Sequence, residues 1–445
     1  MLGQNVATFA RPPAGGGSGG MGPSLDLNFV SSTVLDSRLT FTRAGASNTA
    51  TRFDTFGNMQ GTNTNVPRFD YGPSGGTTPI GLLLEETRTN SIRNPRAEGA
   101  SAGTPGTAPT NWGYGTVTGL TRTINGVGTE NGIPYIEIRI NGTATASGTA
   151  LYLPPETNTA IVAAAAQIWT YSCYVRLVAG STANVNTFAV NLQPYDSTPA
   201  TVGPTLGQTA FTPTGAALVT QRVIGSPSTM PASTASVLPQ LVASVTSGAV
   251  VDFTVRVGGP QVELGAFATS LILPVAGTPA VTTRSGEAVS MPVGSWYNPV
   301  GGTFAGDFLT NQAAGSGTQE GIMRLDDTTA NNVITMYINL SGQIAGTGNS
   351  GGVAEFNNFL NPGGAVLTFP ALGKCAITYG ATWHSAYNGA NGQSGGGTLA
   401  PVSPTRLIVG GSNISLTSWP TNGWMKRLRY WNRILTDVEL RQVTT

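Results

Sequence analysis

The residue best suited to acid–base chemistry is His384, because it is the single histidine among 445 residues. A Ser-His-Asp triad would have to use it, since an imidazole must take the proton of the nucleophile. Trp383 and Ser385 flank it, and nothing like the sharp turn that presents a nucleophilic serine lies nearby. Cys173 and Cys375 are far apart and give no zinc-ligand spacing. We therefore predict no triad, no zinc site and two free, buried thiols.

Carboxylate pairs are the second group with catalytic potential, because two carboxyl groups can hydrolyse a glycosidic bond. The adjacent pairs are Glu85-Glu86 and Asp326-Asp327. Neighbouring side chains of a strand point to opposite faces, so neither pair forms a site by itself. Glycan depolymerases of the repeat-built β-helix type show a short period, and none is evident in this chain. We predict a protein that is not an enzyme and has no catalytic residues.

Aromatic side chains on turn-rich segments indicate a different chemistry, the binding of sugars. A pyranose packs its apolar face on an aromatic ring, and neighbouring amides or carboxylates bond its hydroxyl groups. Each such residue can equally belong to the core or rim of a domain, and both interpretations stay open. The predicted glycan-contacting residues are Trp112, Tyr114, Tyr195, Asp196, Trp383, Tyr387 and Trp419, with Trp296 and Tyr297 as further candidates.

Composition indicates which elements position these side chains. Charged residues make up 10% of the chain, against roughly 25% in ordinary globular domains. The 60 glycines and 29 prolines suit many short strands joined by tight turns. A hydrophobic content of 40% and a net charge of +1 exclude a disordered chain. We predict an all-β protein.

Charge and hydropathy also limit the partners. A nucleic-acid-binding domain needs a clustered basic face, and the one basic run, Lys426–Arg429, suits the solvated face of a strand. No apolar run approaches the roughly 20 residues of a membrane helix. The N-terminus lacks the charged start and apolar centre of a signal peptide. We expect neither nucleic acid nor membrane insertion, and we expect synthesis and assembly in a cytoplasm.

Period-2 alternation and turn residues divide the chain into five segments. Residues 1–24 combine a short peptide with a Gly-rich linker, which suits a tethered anchor or a frayed terminus. Residues 25–91 form a charge-rich β cassette. Residues 92–272 and 294–445 each show successive strands, as in two β-sandwiches. Residues 273–293 are rich in Pro, Thr and Ser, and are predicted as a linker or an extended strap.

Two local patterns predict individual elements. Ile136, Ile138 and Ile140 alternate with polar residues, which is typical of a half-buried antiparallel strand. Thr436 is a candidate N-cap, and Glu439 follows three residues later, which is the spacing of a capping box. The second pattern predicts a short helix at the C-terminus.

The cassette concentrates the rare charges of this chain. Arginines and carboxylates recur through it, namely Arg38, Arg43, Arg52, Asp54, Arg68, Asp70, Glu85, Glu86 and Arg88. In a protein with so few charges we expect these groups to pair. The pairs can be internal to one chain or can lie in an interface between subunits, and both interpretations stay open.

The same cassette carries a family resemblance. The runs LDLNFVSSTVLDSRLTFTRA, VPRFDYGP and GLLLEETRTNSIRN closely resemble a cassette of structural proteins from tailed phages, prophages and gene-transfer agents. Those proteins include head-spike or head-fibre proteins and related tail-associated receptor-binding proteins. The last two runs are the most specific, and the cassette covers about a sixth of the chain.

Two further resemblances concern the sandwiches. GGPQVELGAFATSLI is similar to the last strand of carbohydrate-binding jelly rolls found beside the cassette in phage proteins. RLRYWNRILTDVELRQV resembles the closing segment of laminin-G-like or concanavalin-like sandwiches. Laminin-G-like domains sometimes hold calcium in oxygen-rich loops, so this resemblance implies calcium as a candidate cofactor near Asp326 and Asp327. A polar turn is the alternative there, and no other cofactor is expected.

Together the resemblances imply a virion structural protein, a surface fibre or spike on the head, rather than the tail, of a tailed phage or phage-like particle. It would be made in the host bacterial cytoplasm and would attach the virion surface to host cell-surface polysaccharide. The N-terminal residues Asn5, Val6, Phe9 and Arg11 would dock on a capsid or tail protein. A homo-oligomer, with a trimer expected from the fibre resemblance, would raise the avidity. The alternatives are a ligand-free capsid decoration protein and a capsule polysaccharide depolymerase.

Overall fold

The computed structural model describes residues 22–310, 319–399, 401 and 403–445. Over these residues the chain folds into antiparallel β-sheets with one short α-helix near the C-terminus, which confirms the all-β fold class. Within the same ranges no helix is long and apolar enough to cross a membrane.

The strands fall into three groups along the chain. The cassette contains β1 (Leu25–Asn28), β2 (Thr40–Thr42), β3 (Ala50–Phe53), β4 (Met59–Thr62), β5 (Phe69–Asp70), β6 (Gly81–Leu84) and β7 (Arg88–Asn90). The middle group contains β8 (Leu120–Glu130), β9 (Ile133–Thr143), β10 (Gly148–Leu153), β11 (Ile168–Ser181), β12 (Thr187–Tyr195), β13 (Leu206–Phe211), a 3-10 helix (Leu218–Thr220), β14 (Arg222–Ile224), β15 (Ser228–Thr229), β16 (Ser236–Val245) and β17 (Val250–Leu264). The last group contains β18 (Thr282–Arg284), β19 (Ala288–Pro292), β20 (Gly302–Thr310), β21 (Glu320–Asp326), β22 (Val333–Ile338), β23 (Ile344–Ser350), β24 (Val353–Phe359), a 3-10 helix (Pro362–Gly364), β25 (Ala371–Tyr387), β26 (Ala390–Leu399), β27 (Arg406–Val409), β28 (Gly423–Trp431) and helix α1 (Asp437–Val443).

The middle group forms the first β-sandwich. A six-stranded sheet in the order β14-β11-β17-β9-β8, with β15 also paired to β11, packs on a four-stranded sheet in the order β10-β16-β12-β13. Their inner faces share one hydrophobic core, in which Ile136, Ile138 and Ile140 of β9 are fully buried, as their alternation predicts. Glu137 faces outward between them and accepts a hydrogen bond from Arg256 of the neighbouring strand (2.8 Å).

The second sandwich is built from strands distant in the sequence. One sheet has the order β26-β25-β20-β28-β6-β5, with β1 also paired to β28, and the other has the order β2-β19-β27-β21-β22-β23-β24. Leu25, Leu27 and Leu82 of the cassette are buried in the same core as Phe304 and Tyr430. The expectation of a separate cassette is therefore corrected. Its short strands satisfy their backbone groups by joining sheets of the last segment.

The segment predicted as a linker or an extended strap, residues 273–293, contains two paired strands. β18 pairs with β7, which places Thr282 opposite Asn90, and β19 lies between β2 and β27. Local composition left a linker and an extended strap open, because the partners that pair these strands lie far away in the sequence. The first sandwich is consequently inserted into the second, because the chain leaves through β7 and returns beside it through β18.

Helix α1 begins with the predicted capping box. The Thr436 hydroxyl accepts from the backbone N–H of Glu439 (3.4 Å), and the Glu439 carboxylate accepts from the backbone N–H of Thr436 (2.8 Å). Leu440 is buried in a small cluster with Ala376 and Trp431. The box uses residues three positions apart, so the sequence alone suffices to predict it.

Candidate functional site

Two of the predicted sugar-contacting tryptophans lie in hydrophobic cores. Trp112 is 7% exposed, and its Nε1–H donates to the backbone oxygen of Asn94 (2.9 Å). Trp383 is 5% exposed and stacks on Phe356, with ring centroids 5.1 Å apart. Side chains this buried offer no ring face to a sugar. Both assignments are corrected, because tertiary packing buries both rings in a core.

The other predicted aromatic residues differ in how much of the ring they present. Tyr114 is half-buried, and the guanidinium of Arg122 lies 3.4 Å from its ring centroid, so an internal partner covers that face. Tyr387 is half-buried, and burial raises its pKa to about 12. Trp419 is exposed, in a turn where its φ is +55°.

Trp296 and Tyr297 pack inward at one end of the second sandwich. Their ring centroids lie 5.1 and 5.9 Å from that of Tyr430, and Tyr297 also stacks on Tyr379 at 5.9 Å. The four rings form an aromatic cluster that continues the core. They therefore serve packing, whereas Trp419 remains available to a ligand.

Tyr195 lies on the outer face of the four-stranded sheet. Asn191 and Gln193 precede it at period-2 spacing on β12, and Gln240 of β16 lies opposite Asn191. Gln240 donates to the hydroxyl of Tyr152 (3.1 Å), and Gln193 donates to the backbone oxygen of Pro194 (3.1 Å). All three amides are buried, so this face presents little polar surface.

Asp196, predicted beside Tyr195 as a sugar-binding carboxylate, closes its own turn. Its Oδ1 accepts from the backbone N–H groups of Thr198 (2.8 Å) and Ala200 (3.0 Å). These hydrogen bonds, with one from the Thr198 hydroxyl, lower the pKa of Asp196. The side chain thus already has a structural task as an Asx turn.

A cleft of about 480 Å³ opens where the two sandwiches meet. Its walls come from the β3–β4 hairpin, from β11, β14 and the exit of the first sandwich, and from the start of β28. We call it the junction cleft and define it by Arg52, Phe53, Tyr174, Arg222, Phe267 and Trp424. None of these six residues was among the predicted glycan-contacting set.

Aromatic rings form much of the wall, and internal bonds fix two of them. Trp424 donates its indole N–H to Asp70 Oδ2 (2.9 Å), and Asp70 Oδ1 accepts from the backbone N–H of Phe53 (2.6 Å). Burial raises the pKa of the Asp70 carboxyl, and the two hydrogen bonds offset this only in part. On the opposite side the Arg88 guanidinium lies 4.5 Å from the ring centroid of Phe267. The walls are therefore preorganised.

Two half-buried guanidinium groups line the cleft between these rings. Arg222 donates from Nη2 to the Ser172 hydroxyl (2.9 Å) and lies 5.7 Å from the ring centroid of Tyr174. Arg52 donates from Nη1 to the backbone oxygens of Phe53 and Phe69, each at 3.4 Å. Both guanidinium groups are permanently charged. The cleft thus combines apolar walls with cationic donors, the usual constitution of a small-ligand site.

Beneath the cleft lies a buried network of arginines and glutamates. Arg68 donates from Nε and Nη2 to the two carboxylate oxygens of Glu287 (2.6 and 2.7 Å) and lies 2.8 Å from Glu85. Arg284 reaches the same Glu85 oxygen at 3.0 Å, and Arg43 lies 3.5 Å from Glu287. All five side chains are buried. We call this set the junction network.

The junction network ties the exit of the first sandwich to the second. Ser270 donates its backbone N–H (2.7 Å) and its hydroxyl (2.6 Å) to Glu85, and its hydroxyl also accepts from Arg68 (2.8 Å). Burial alone would raise the pKa of Glu85, but the guanidinium groups of Arg284 and Arg68 lower it to about 2. The expected pairing of cassette charges is therefore found within one chain.

The buried position of Arg68 corrects one consequence of the hypothesis that the cassette charges pair between subunits. If Arg68 paired with a second subunit, reversing its charge would dissociate an oligomer and leave the domains folded. Arg68 has no exposed surface and both of its carboxylate partners belong to the same chain. Its substitution must act on the fold.

His384 and the two cysteines, the residues weighed for catalytic or metal chemistry, make structural contacts. His384 Nδ1 lies 2.8 Å from Asp437 Oδ1 at the start of α1. Cys173 and Cys375 are buried and unbridged, as predicted, and burial raises the pKa of the Cys173 thiol to about 12. Neither thiol is activated as a nucleophile, because the thiolate form is disfavoured.

The predicted calcium loop is held by its own side chains. Asp326 is buried and accepts from Arg324 (2.5 Å) and Arg406 (2.6 Å), while Asp327 accepts from Asn332 (2.7 Å). In the part of the chain that the structure describes, no group of three or more His, Cys, Asp or Glu side chains can hold a metal ion. Calcium near these residues stays a prediction that would have to compete with two guanidinium groups at Asp326.

Sequence reasoning missed the junction cleft, and one signal pointed toward it. Arg52 and Asp70 belong to the charge-rich cassette, and both line the cleft. Arg222 lies in an ordinary strand without any distinguishing pattern. Trp424 lies in β28, and the sequence around it carries no local signal of a binding role. A cleft assembled from such distant strands has no local signature.

The chain was compared with protein families, curated proteins and solved structures. No protein-family model and no curated protein matches the sequence. Among solved structures, the CBM40 of the Ruminococcus gnavus IT-sialidase bound to α2,3-sialyllactose is 16% identical, with a TM-score of 0.27, over 33% of this chain and 83% of that one. The NanB sialidase of Streptococcus pneumoniae is 14% identical, with a TM-score of 0.28, over 35% of this chain and 26% of that one. The tandem CBM22 of Paenibacillus barcinonensis Xyn10C is 10% identical, with a TM-score of 0.24, over 74% of this chain and 96% of that one.

Proposed function

We propose that this protein binds a surface glycan in the junction cleft, as a fibre or spike on a tailed-phage-like particle. The main support for glycan binding is the cleft itself, in which aromatic walls and cationic donors surround a volume of about 480 Å³. The cassette resemblance supports the particle part. The bound glycan is a polysaccharide of the host bacterial surface.

The cleft suits a saccharide better than a flat, uniformly apolar ligand. Its volume falls within the roughly 300–1,000 Å³ of small-ligand sites, which fits a few sugar units. Phe53 and Trp424, both half-buried, supply ring faces for the apolar side of a pyranose, and Arg52 and Arg222 supply donors for its oxygens. The preorganised walls reduce the entropy lost on binding.

Attachment through this cleft is reversible and multivalent. The protein holds the glycan without cleaving it, each site binds weakly, and several copies on one particle give avidity. A homotrimer on the virion surface meets this need. The proposed anchor residues Asn5, Val6, Phe9 and Arg11, which lie outside the described residues, connect it to a capsid or tail protein.

A glycan array probed with the full chain tests the proposal. Ile224 lines the cleft and is 46% exposed, so Ile224→Trp fills the site with little effect on either core. Val250→Trp is the matched control, because Val250 is 61% exposed and does not line the cleft. We expect the wild type and Val250→Trp to bind the same bacterial glycans and Ile224→Trp to lose them.

Two results, one from the array and one from an assay of capsule hydrolysis, favour another function. Absence of binding to any bacterial envelope glycan overturns the proposal and favours a ligand-free decoration protein. Release of reducing ends from purified capsule favours a depolymerase instead. Equal binding by Ile224→Trp and the wild type moves the site away from the cleft.

A further inference from the structure

The junction cleft offers hydrogen-bond donors, whereas the lining carboxylate groups already have partners. Both Asp70 oxygens accept hydrogen bonds, from Phe53 and from Trp424. Both Glu85 oxygens accept from Ser270, and Arg68 and Arg284 neutralise the carboxylate. A ligand that mainly donates hydrogen bonds therefore finds few free acceptors among these side chains.

The two lining arginines, in contrast, have unused donors. Within the described residues Arg222 makes one side-chain hydrogen bond, from Nη2 to the Ser172 hydroxyl, which leaves its Nη1 group unpaired. The Arg52 contacts to Phe53 and Phe69 lie at 3.4 Å, near the limit of a hydrogen bond. In the part of the chain that the structure describes, neither guanidinium lies within 4.0 Å of a carboxylate, although most arginines of this protein do.

Partly buried positive charge without a counter-charge is costly, and an incoming anion removes that cost. A carboxylate suits a guanidinium best, because two parallel N–H groups can donate to its two oxygens. The aromatic walls beside the arginines suit a sugar ring rather than a small inorganic anion. Resting on the proposed glycan function, we infer that the cleft selects acidic saccharides, with the sugar carboxylate bound at Arg222 and Arg52.

A panel of acidic bacterial polysaccharides, each paired with its own carboxyl-reduced form, tests this inference. Carbodiimide activation followed by borohydride reduction converts the carboxylate to a primary alcohol and keeps the rest of the polymer. With the full chain immobilised, we expect binding to at least one acidic polysaccharide and a loss of about tenfold or more on reduction, as for a lost charge-assisted bond. Binding should also weaken as salt is raised.

Substitutions of the two cleft arginines test whether the preference for the carboxylate arises in the cleft. Arg222→Met should lose about as much affinity for the acidic polymer as carboxyl reduction costs, and should no longer distinguish the two polymers. Arg52→Met provides the same test if Arg222→Met fails to fold. Arg139→Met is the matched control, because Arg139 is exposed, is paired with Asp252 (2.7 Å) and does not line the cleft.

The outcomes separate this inference from the function it rests on. Equal binding to acidic and carboxyl-reduced polymers, lost in Ile224→Trp, overturns the acidic preference and leaves glycan binding in the cleft intact. Acidic preference that survives Arg222→Met and Arg52→Met overturns the assigned residues. Absence of binding to every polymer in both forms overturns glycan binding itself.

Discussion

Arg68 and Glu287 form a two-pronged, fully buried ion pair across 219 residues of sequence. Arg68 precedes the first sandwich and Glu287 follows it, so the pair closes the base of the inserted domain. A buried pair stabilises only while both partners are present, because the survivor is left as an uncompensated charge. The pair is therefore a sensitive point of the fold.

Charge reversal at Arg68 should destabilise the whole chain. Arg68→Glu would bring a third carboxylate against Glu85 and Glu287, and we expect a loss of about 3–5 kcal/mol or more in the free energy of unfolding. Urea denaturation followed by circular dichroism measures it. Arg139→Glu, at an exposed ion pair, should leave the transition unchanged. An Arg68→Glu protein with wild-type stability but altered sedimentation would restore the subunit-interface interpretation.

Glu85 should contribute stability that disappears in acid. Its pKa in the folded protein is lowered from 4.5 to about 2, so the ionised form stabilises the fold above pH 4.5 and the contribution is lost as pH falls toward 2. Glu85→Gln should cost on the order of 3 kcal/mol at pH 7. The difference from wild type should shrink between pH 4.5 and pH 2.

Urea transitions at pH 7, 4.5 and 3 measure that difference for Glu85→Gln. Glu439→Gln is a useful comparison. Arg433 also lowers the pKa of Glu439 to about 2, but Glu439 lies in the C-terminal helix α1 and is only partly buried. A Glu85→Gln deficit that stays constant over the whole pH range would contradict the assigned pKa.

The inserted sandwich should be removable. Because Asn90 and Thr282 lie opposite each other in the β7–β18 pair, a short Gly/Ser linker can join them in a chain without residues 91–281. We expect this shortened chain to fold cooperatively, with a lower melting temperature because Ser270 no longer bonds Glu85. Residues 294–445 alone should not fold, since Leu25, Leu27 and Leu82 are missing from their core.

Thermal melts by circular dichroism distinguish these chains. Cooperative melting of residues 294–445 at the temperature of the shortened chain would show that the cassette strands are dispensable. That result would reinstate a separate cassette.

The capping box should stabilise the C-terminal helix. Thr436→Ala removes the side-chain acceptor for the Glu439 N–H, and we expect a cost of about 1 kcal/mol in the free energy of unfolding. Thr436→Ser keeps the hydroxyl and should stay close to wild type. Equal stability of the two variants, measured by urea denaturation, would contradict the role of the box.

Local patterns predicted local structure in this protein. Alternation at Ile136–Ile140 and the spacing of Thr436 and Glu439 depend on neighbours in the sequence, and the structure confirms both. The pairing of β1 with β28 depends on residues about 400 positions apart, so no window of the sequence contains it. A division of the chain by local pattern therefore separates the cassette from the last sandwich.

Prediction of the candidate site is limited in the same way, by contacts between residues far apart in the sequence. Trp112 and Trp424 are both flanked by turn-forming residues, yet tertiary packing buries the first in a core and places the second on a cleft wall. Clustered charge predicted ion pairs in the cassette, and they are present. It did not reveal that Arg222, in another sandwich, would share a cleft with Arg52.

Hydrogen–deuterium exchange with a bound bacterial polysaccharide tests most directly whether the junction cleft is the binding site. The full chain is compared with and without a polymer that it binds on the array, and Ile224→Trp serves as the blocked control. We predict slower exchange in residues 51–59, 222–227, 266–271 and 422–424, with no such change in the blocked variant. Protection confined to other surfaces, such as the turn around Trp419 or the face around Tyr195, would contradict the account.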